Sequence, residues 1–134
     1  MLKLPTVLLR HDQRDGVHYD WLIADPSDID GRLWTARVAL PSTQWLDMAR
    51  FDLDWIESHR RSYLTWQGPI GNGRGSVVRV DEGEVVPRMW NDRRIVADVR
   101  MKHCQAAIDM VRYSESGWRA RVEGPEIAVL DLAF

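Results

Sequence analysis

Residues 6–23 read TVLLRHDQRDGVHYDWLI and place a turn, Asp15-Gly16, between two runs rich in apolar and β-branched side chains. Glycine accepts the positive φ of a tight hairpin turn, so this pattern predicts two antiparallel strands joined at Asp15-Gly16. With these two residues at the centre of the turn, His11 is expected to lie directly opposite Asp20 on the neighbouring strand. A β hairpin therefore opens the predicted fold.

Short segments of the same kind recur along the chain and are separated by turn residues. Period-two alternation with regularly spaced turns is typical of an antiparallel sandwich or barrel. Two further turns are predicted at 81–83 and 114–117, each of which ends in glycine. The predicted strands are 6–11, 17–23, 32–39, 51–55, 63–66, 76–81, 84–90, 95–100, 108–113 and 118–122.

Only one segment is predicted to be helical. Ser42 or Thr43 can cap a turn or two of helix over residues 44–50. The last segment, 127–134, is apolar except at Asp131. It fits a final buried strand or a small helix equally well, because periodicity does not separate the two. The sequence thus predicts one mainly β domain over residues 1–134, with one or two short helices.

Composition limits the classes of function. The chain has 134 residues, of which 45% are hydrophobic and 28% charged, close to the average of globular proteins. Its formal net charge of −2 argues against nucleic-acid binding by bulk electrostatics, because such domains carry a clear basic excess. Of the 18 basic residues only Lys3 and Lys102 are lysine. Arginine suits phosphate oxygens, but a GC-rich genome would produce the same preference, and both explanations stay open.

The sequence indicates a cytoplasmic protein. Cys104 is the single cysteine and has no partner for an internal disulfide. The first residues reach Arg10 and His11 before the apolar core of a signal peptide is complete. No stretch approaches the roughly 20 apolar residues that cross a bilayer. We therefore expect no membrane association. We also expect a monomer.

The first hairpin carries the strongest chemical signal. Side chains alternate between the faces of a strand, so His18 and Asp20 point to one face, and His11 joins them across the hairpin. Two imidazoles and a carboxylate leave coordination positions open for water or substrate, as a catalytic metal requires. Nitrogen and oxygen ligands without thiolate suit Mn²⁺, Zn²⁺ or Fe²⁺. The alternative is a solvated polar face on which two histidines happen to fall.

Three blocks of the sequence resemble a known family. Residues 9–12 followed by 18–21, LRHD and HYDW, resemble the H-D-x(4)-H-[YW]-D-[FW] signature of the 3′-phosphoesterase domain of bacterial DNA ligase D, with one extra residue between the histidines. Residues 59–70, HRRSYLTWQGPI, are similar to the family block H-x(3)-Y-x(2)-[FY]-E-G-x-I. Residues 75–83 are similar to its G-x-V-x-x-W-D-x-G hairpin, with Val80 in place of the tryptophan. The resemblance spans roughly residues 5 to 122.

The resemblance implies a compact antiparallel β-barrel that binds a divalent metal, Mn²⁺ or else Zn²⁺. The implied activity is removal of 3′ phosphates or terminal ribonucleotides from nucleic-acid ends in DNA repair, beside a DNA ligase or polymerase of end joining. The implied metal ligands are His11, His18 and Asp20. Carried over by position, the implied catalytic residues are the phosphate-side histidine His59, its neighbour Tyr63 and the supporting acid Glu57.

Several positions depart from the family pattern. Leu22 stands where an arginine is expected, Leu9 where a glutamine is expected, and Gln67 where the pattern has glutamate. The candidates to replace the missing phosphate contact are Arg10, Arg14 and Arg74. These departures keep two alternatives open, a catalytically weakened module that binds nucleic-acid ends and a phosphoesterase that acts on a small molecule.

Other motifs are assigned structural roles. The glycine-rich stretch 68–75 is not a P-loop, since no Lys-Ser/Thr pair or helix follows it, and a hairpin loop at the site mouth is predicted. Most tryptophans are expected in the core, and an exposed one would be a candidate for base stacking. His103 and Cys104 are neighbours on a chain, so they are expected to face opposite ways and to share no metal.

Overall fold

The structure is a computed structural model that describes residues 1–124, and it is mainly β. Its strands are β1 Leu4–Gln13, β2 Gly16–Ala24, β3 Leu33–Val38, β4 Arg50–Trp55, β5 Gly68–Pro69, β6 Ser76–Trp90, β7 Arg94–Met101, β8 Gln105–Arg112 and β9 Gly117–Glu123. A short helix, α1 Trp45–Met48, follows the 3₁₀ turn Ser42–Gln44, and a second 3₁₀ turn spans Arg61–Leu64. The tail 127–134, for which strand and helix were both predicted, lies outside the described residues.

Eight of the described strands close into an antiparallel barrel in the order β1-β2-β3-β4-β9-β8-β7-β6, and β6 pairs back with β1. The two-residue strand β5 adds to β6 at one end. The prediction of a mainly β barrel with little helix is therefore confirmed. Within residues 1–124, none of the helical segments has the length and apolar character needed to cross a bilayer.

Tryptophans fill the barrel, as predicted. Trp21, Trp45 and Trp118 have no exposed surface. The rings of Trp21 and Trp45 lie 4.8 Å apart, and those of Trp34 and Trp118 meet edge to face at 5.7 Å. Such large rings supply the volume that an eight-stranded barrel needs in its interior. Trp66 is the exception among them, since it is 48% exposed.

The first hairpin forms, but its turn lies one residue earlier than predicted. Gln13 pairs with Gly16, which makes Arg14 and Asp15 the turn residues. His11 consequently lies opposite His18, and Asp20 lies opposite Leu9, so the predicted pairing of His11 with Asp20 is wrong. Moving the turn by one residue changes the pairing by two positions, which preserves the face to which each side chain points.

The predicted strand 63–66 is wrong, because this stretch begins inside the 3₁₀ turn Arg61–Leu64. The backbone N–H of Tyr63 donates to the carbonyl of Arg60, and that of Thr65 donates to the carbonyl of Ser62. These local bonds use the groups that a strand would offer to a neighbour. The alternation of aromatic and polar residues had suggested a strand. In the 3₁₀ turn, Tyr63 and Leu64 both pack against the core.

The predicted turn at 81–83 does not form, and residues 76–90 make one long strand, β6. The Asp81 carboxylate accepts hydrogen bonds from the Ser42 hydroxyl at 2.6 Å and from the backbone N–H of His103 at 3.2 Å. At Gly83, a Cβ would lie 1.9 Å from the carbonyl oxygen of Arg100. Asp81 and Gly83 are thus explained by cross-strand contacts and not by a turn.

The predicted helix is shorter than residues 44–50, since α1 ends at Met48 and Ala49 follows with a φ of 60°. Neither Ser42 nor Thr43 caps it. Ser42 lies in the preceding 3₁₀ turn without a side-chain capping bond, and its hydroxyl donates to the Asp81 carboxylate instead. A hydrogen bond to a carboxylate is stronger than a bond between the hydroxyl and a neutral backbone amide, which favours this position of the Ser42 side chain.

The buried thiol of Cys104 allows a direct test of the core. Burial raises the pKa of this thiol to about 11, and the nearby Asp81 carboxylate adds to the rise. Since the thiolate is the reactive form, we expect no reaction of the folded protein with an aromatic disulfide reagent at about pH 8. Unfolding in guanidinium chloride should release one reactive thiol per chain. Fast reaction before unfolding would contradict the buried position.

Candidate metal centre

The predicted ligands lie on the outer wall of the barrel. Because Trp21 points into the barrel, His18 and Asp20 on the same strand point outward. Asp20 is nevertheless only 2% exposed. The segment 56–75 covers this part of the wall, and its Ile70 packs against the core. The site is therefore a covered depression on the barrel surface.

The three side chains converge, as predicted. His11 Nδ1 lies 3.0 Å from His18 Nε2 and 3.8 Å from Asp20 Oδ2. His18 Nε2 lies 3.4 Å from Asp20 Oδ1. One ligand atom from each residue falls within 4.8 Å of the others, so this group can hold a metal ion.

A backbone contact sets the protonation of His11. Its Nε2 lies 2.7 Å from the carbonyl oxygen of Arg74, which only accepts hydrogen bonds, so the proton of the neutral ring is on Nε2. Nδ1 is then an unprotonated nitrogen that faces His18 and Asp20. Metal-binding histidines are commonly oriented in this way, with the distal N–H bonded to a carbonyl or carboxylate.

The carboxylate of Asp20 fits a cation. Its Oδ1 is buried and has no hydrogen-bond partner among residues 1–124. Such an atom loses its hydration without compensation, which is unfavourable unless a cation lies nearby. Around it stand His11 Nδ1, a bare nitrogen, and His18 Nε2, which can supply only one proton. More acceptors than donors meet at this point, and a divalent ion satisfies all of them.

The electrostatics keep both titrating ligands in the metal-binding form. Burial lowers the pKa of His18, and the nearby Asp20 carboxylate only partly opposes this. For Asp20, burial acts to raise the pKa, but the neighbouring His59 ring and the charges of His18 and Arg37 outweigh it, so the pKa is lowered. At neutral pH, His18 is therefore uncharged and Asp20 is ionised.

A polar pocket of about 470 Å³ opens beside the ligands. Its lining includes four residues that the sequence analysis selected, namely Glu57, His59, Tyr63 and Arg74. The His59 ring faces Asp20, with Nε2 at 3.6 Å from Oδ2. His59 Nδ1 lies 3.1 Å from the carbonyl oxygen of Glu57 and donates to it, so Nε2 is the nitrogen that faces the site.

Two of the predicted phosphate-binding arginines do not reach this pocket. Arg10 points to the opposite face of β1 and forms an ion pair with Asp12 at 3.1 Å. Arg14 is exposed at the tip of the hairpin. Only Arg74 of the three lies in the lining.

Sequence reasoning missed three arginines that line the pocket, Arg32, Arg37 and Arg60. Arg37 is the nearest to the ligands, since it pairs with Asp20 across β2 and β3 and its Nε lies 3.7 Å from Asp20 Oδ1. Arg32 donates to the Ser58 hydroxyl at 2.8 Å and so fixes the covering segment. Alternation within β3 could have placed Arg37 on an outward face, but not beside Asp20.

The comparisons with known proteins do not identify a family. A scan against protein-family models finds no match for this chain, and a search of curated proteins finds none either. The resemblance to the phosphoesterase domain of DNA ligase D is therefore carried by the sequence blocks described above. The geometry of the site is an independent line of argument for its chemistry.

Gly75 is expected to control metal affinity without touching the metal. Its φ is +88°, and a Cβ there would lie 1.9 Å from the carbonyl oxygen of Asp12. Gly75→Ala must therefore move the loop away from β1 and draw the Arg74 carbonyl from His11. Loss of such a hydrogen bond typically weakens metal binding about 10- to 100-fold. Calorimetric titration with Mn²⁺ measures the change.

Gly73→Ala is the matched control for this prediction. Gly73 also has a positive φ, +69°, but a Cβ there would meet nothing within 4 Å. Both variants thus carry backbone strain, and only Gly75→Ala carries a clash with β1. Equal affinities of the two variants for Mn²⁺ would show that the loop does not position His11.

Proposed function

We propose that this protein is a Mn²⁺-dependent phosphoesterase that removes phosphate from 3′ ends of nucleic acid. The observation that carries the proposal is the three-ligand group of His11, His18 and Asp20, of which His11 and Asp20 line an arginine-rich pocket. A phosphate is the substrate group that both a divalent cation and planar guanidinium forks favour.

A divalent ion held by these ligands would polarise a phosphate oxygen and lower the pKa of a coordinated water. Mn²⁺ suits a set of two nitrogens and one carboxylate oxygen, and Zn²⁺ suits it as well. The two imidazole nitrogens offer neutral donors, and Asp20 offers a charged one. These three ligands would leave coordination positions of the ion open for water or substrate.

In the proposed reaction, His59 supplies a proton. In hydrolysis a water oxygen bonds to phosphorus as the ester P–O bond breaks, and the leaving 3′ oxygen takes up a proton. Nδ1 of His59 is tied to the Glu57 carbonyl, so the transferred proton is carried on Nε2, which faces Asp20 and the pocket. Tyr63, whose ring centroid lies 5.3 Å from that of His59, limits the movement of the imidazole.

Arginine side chains would neutralise the phosphate. Arg37 lies beside Asp20 and Arg74 lines the same pocket, so a phosphate bound there would have two cations near it. A preorganised positive charge stabilises the charge that develops on the transferred phosphoryl group. Arg37 thus takes the place of the arginine that the family pattern has where this chain has Leu22.

The proposed setting is repair of DNA ends in the cytoplasm, with a DNA ligase or polymerase as partner and this chain as a monomer. The resemblance to the ligase D domain supports this setting. The chemistry of the pocket itself would serve any terminal phosphate monoester.

A second candidate function is end binding with little turnover. Leu9 and Leu22 are both fully buried and offer no contact to phosphate. Gln67 accepts a hydrogen bond from the backbone N–H of Arg79, which occupies its side-chain oxygen. Three positions of the family's polar shell therefore have a structural role here. This observation favours a weakened enzyme over one of full activity.

The test is phosphate release from a primer-template that ends in a 3′ phosphate, with Mn²⁺ present. We expect release by the wild type and a rate reduced about 100- to 10,000-fold in His59→Ala, the usual effect of losing a general acid. Arg93→Ala, an exposed arginine on the β6–β7 turn, is the control and should keep the wild-type rate.

The same assay separates the alternatives. Salt-sensitive binding of the primer end without release would favour the end-binding module. Release from a small phosphate ester, with none from the primer, would favour a small-molecule phosphoesterase. An unchanged rate in His11→Ala would contradict the proposed metal centre.

A further inference from the structure

A pair of arginines faces each other on the outer wall beyond the metal site. Arg50 of β4 and Arg121 of β9 are directly opposed in the strand register, and both are exposed. Like charges in directly opposed positions of a sheet destabilise it. Within residues 1–124 neither guanidinium has a hydrogen bond or an ion pair. Such an arrangement is favourable when an anion lies between the two side chains.

The nearby carboxylates are already neutralised. Asp109 lies opposite Arg121 on β8, but both of its oxygens are held by Arg94 at 3.0 and 2.8 Å. Asp52 is held by Arg119 at 3.0 Å. Asp109 still attracts Arg121 through space, but neither Arg50 nor Arg121 is hydrogen-bonded to a carboxylate in this part of the described structure.

These two arginines line a groove of about 340 Å³, and a third arginine, Arg119, lines it with them. Arg119 lies over the ring of Tyr113 at 4.9 Å, and its bond to Asp52 fixes the guanidinium from the other side. An arginine held in place in this way loses little entropy when it meets an anion. Val111, which is 47% exposed, adds an apolar surface to the groove.

The groove and the metal site lie on the same wall. From Asp20 the register leads to Arg37 on β3 and Asp54 on β4, and Arg50 lies four residues further along β4 on the same face. Three strand spacings and four residues separate Asp20 from Arg121, which is about 20 Å over the surface. At about 3.4 Å per nucleotide, this distance corresponds to about six nucleotides.

We propose that the groove of Arg50, Arg119 and Arg121 binds a backbone phosphate of a nucleic-acid strand, about six nucleotides from the end that enters the metal pocket. The inference rests on the proposed function for the identity of the strand, while the charge of the groove stands apart from it. Binding at a limited groove also agrees with a chain whose net charge is −2. Such a contact would distinguish a nucleic-acid strand from a small phosphate ester.

The test is binding of a fluorescent 12-nucleotide single strand, measured by anisotropy in EDTA so that neither metal nor turnover contributes. The variant is Arg50→Thr with Arg121→Thr, because threonine suits exposed strand positions. The control, Arg93→Thr with Arg100→Thr, removes the same charge from exposed residues that do not line the groove. Circular dichroism checks that all three proteins are folded.

We expect the groove variant to bind at least about 10-fold more weakly and its salt slope to fall by about 1.4, the value for two lost contacts to a single strand. The control should stay within about 2-fold of the wild type. Equal loss in both variants, no loss in the groove variant, or no binding by the wild type would overturn the proposal. Displacement by millimolar inorganic phosphate would assign the groove to free phosphate and overturn the strand.

The binding assay and the phosphate-release assay together separate this proposal from the proposed function. Failure of phosphate release with a weakened groove variant would refute the phosphoesterase and keep the groove. Release without any effect of the groove variant on binding would keep the phosphoesterase and refute the groove.

Discussion

His18→Ala is expected to lower the affinity of the protein for Mn²⁺ by more than about 100-fold, beyond what loss of an outer hydrogen bond costs. The variant removes one of two neutral nitrogen donors and leaves His11 with Asp20 alone. Two ligands from one hairpin hold an ion far less well than three that converge. Isothermal titration calorimetry of the purified protein, stripped of metal beforehand, measures the change.

His103→Ala is the matched control for this experiment. His103 is exposed in the loop between β7 and β8 and belongs neither to the ligand group nor to the pocket lining. The substitution therefore removes an imidazole without changing the site. Its affinity for Mn²⁺ should equal that of the wild type. If His18→Ala also binds like the wild type, the ion is held elsewhere and the assignment of His18 is wrong.

Asp81→Ala is expected to cause the largest loss of stability, about 3–5 kcal/mol of the free energy of unfolding. The carboxylate is 2% exposed and accepts hydrogen bonds from the Ser42 hydroxyl and from the backbone N–H groups of Glu82 and His103. Alanine leaves the three donors without this partner, and the Ser42 hydroxyl among them is buried. Urea unfolding followed by tryptophan fluorescence gives the free energy.

Asp92→Ala provides the comparison for Asp81→Ala. Asp92 is exposed on the β6–β7 turn, and a surface substitution of this kind usually changes stability by less than about 0.5 kcal/mol. Asp81→Asn should fall between the two, because the amide keeps one acceptor oxygen. A loss below about 1 kcal/mol for Asp81→Ala would mean that the three donors find other partners.

The hairpin shows how much of the site a sequence can predict. Two strands and a glycine-containing turn were evident from the pattern, and the convergence of His11, His18 and Asp20 followed from alternation. The turn lies one residue from its predicted position, which moves the pairing by two positions. The three side chains therefore still point to the predicted face. Face assignment is thus more robust than exact register.

Contacts between distant segments could not be predicted in the same way. Arg37 meets Asp20 only through the pairing of β2 with β3, which no local pattern specifies. The stretch Asp81-Glu82-Gly83 suggested a turn because aspartate and glycine are common turn residues. The buried hydrogen bond from Ser42 to Asp81 instead favours an extended strand. Tertiary hydrogen bonds outweighed local preference at this position.

The covering segment 56–75 illustrates a second limit. Its aromatic alternation suggested a strand, whereas the chain forms a 3₁₀ turn that packs Tyr63 beside His59. Only the resemblance to the ligase D domain predicted that His59 lies near the ligands, because no local pattern indicated it. In the structure, a β-bridge between Leu33 and His59 holds His59 beside the strand that follows β2.

The most direct test of the central claim is the position of a bound metal. Crystals grown with Mn²⁺ and measured for anomalous scattering should show one strong peak about 2 Å from His11 Nδ1, His18 Nε2 and a carboxylate oxygen of Asp20. His59 should remain outside the first coordination shell, across Asp20 from the peak. A peak at other side chains, or no peak in this pocket at saturating Mn²⁺, would contradict the account.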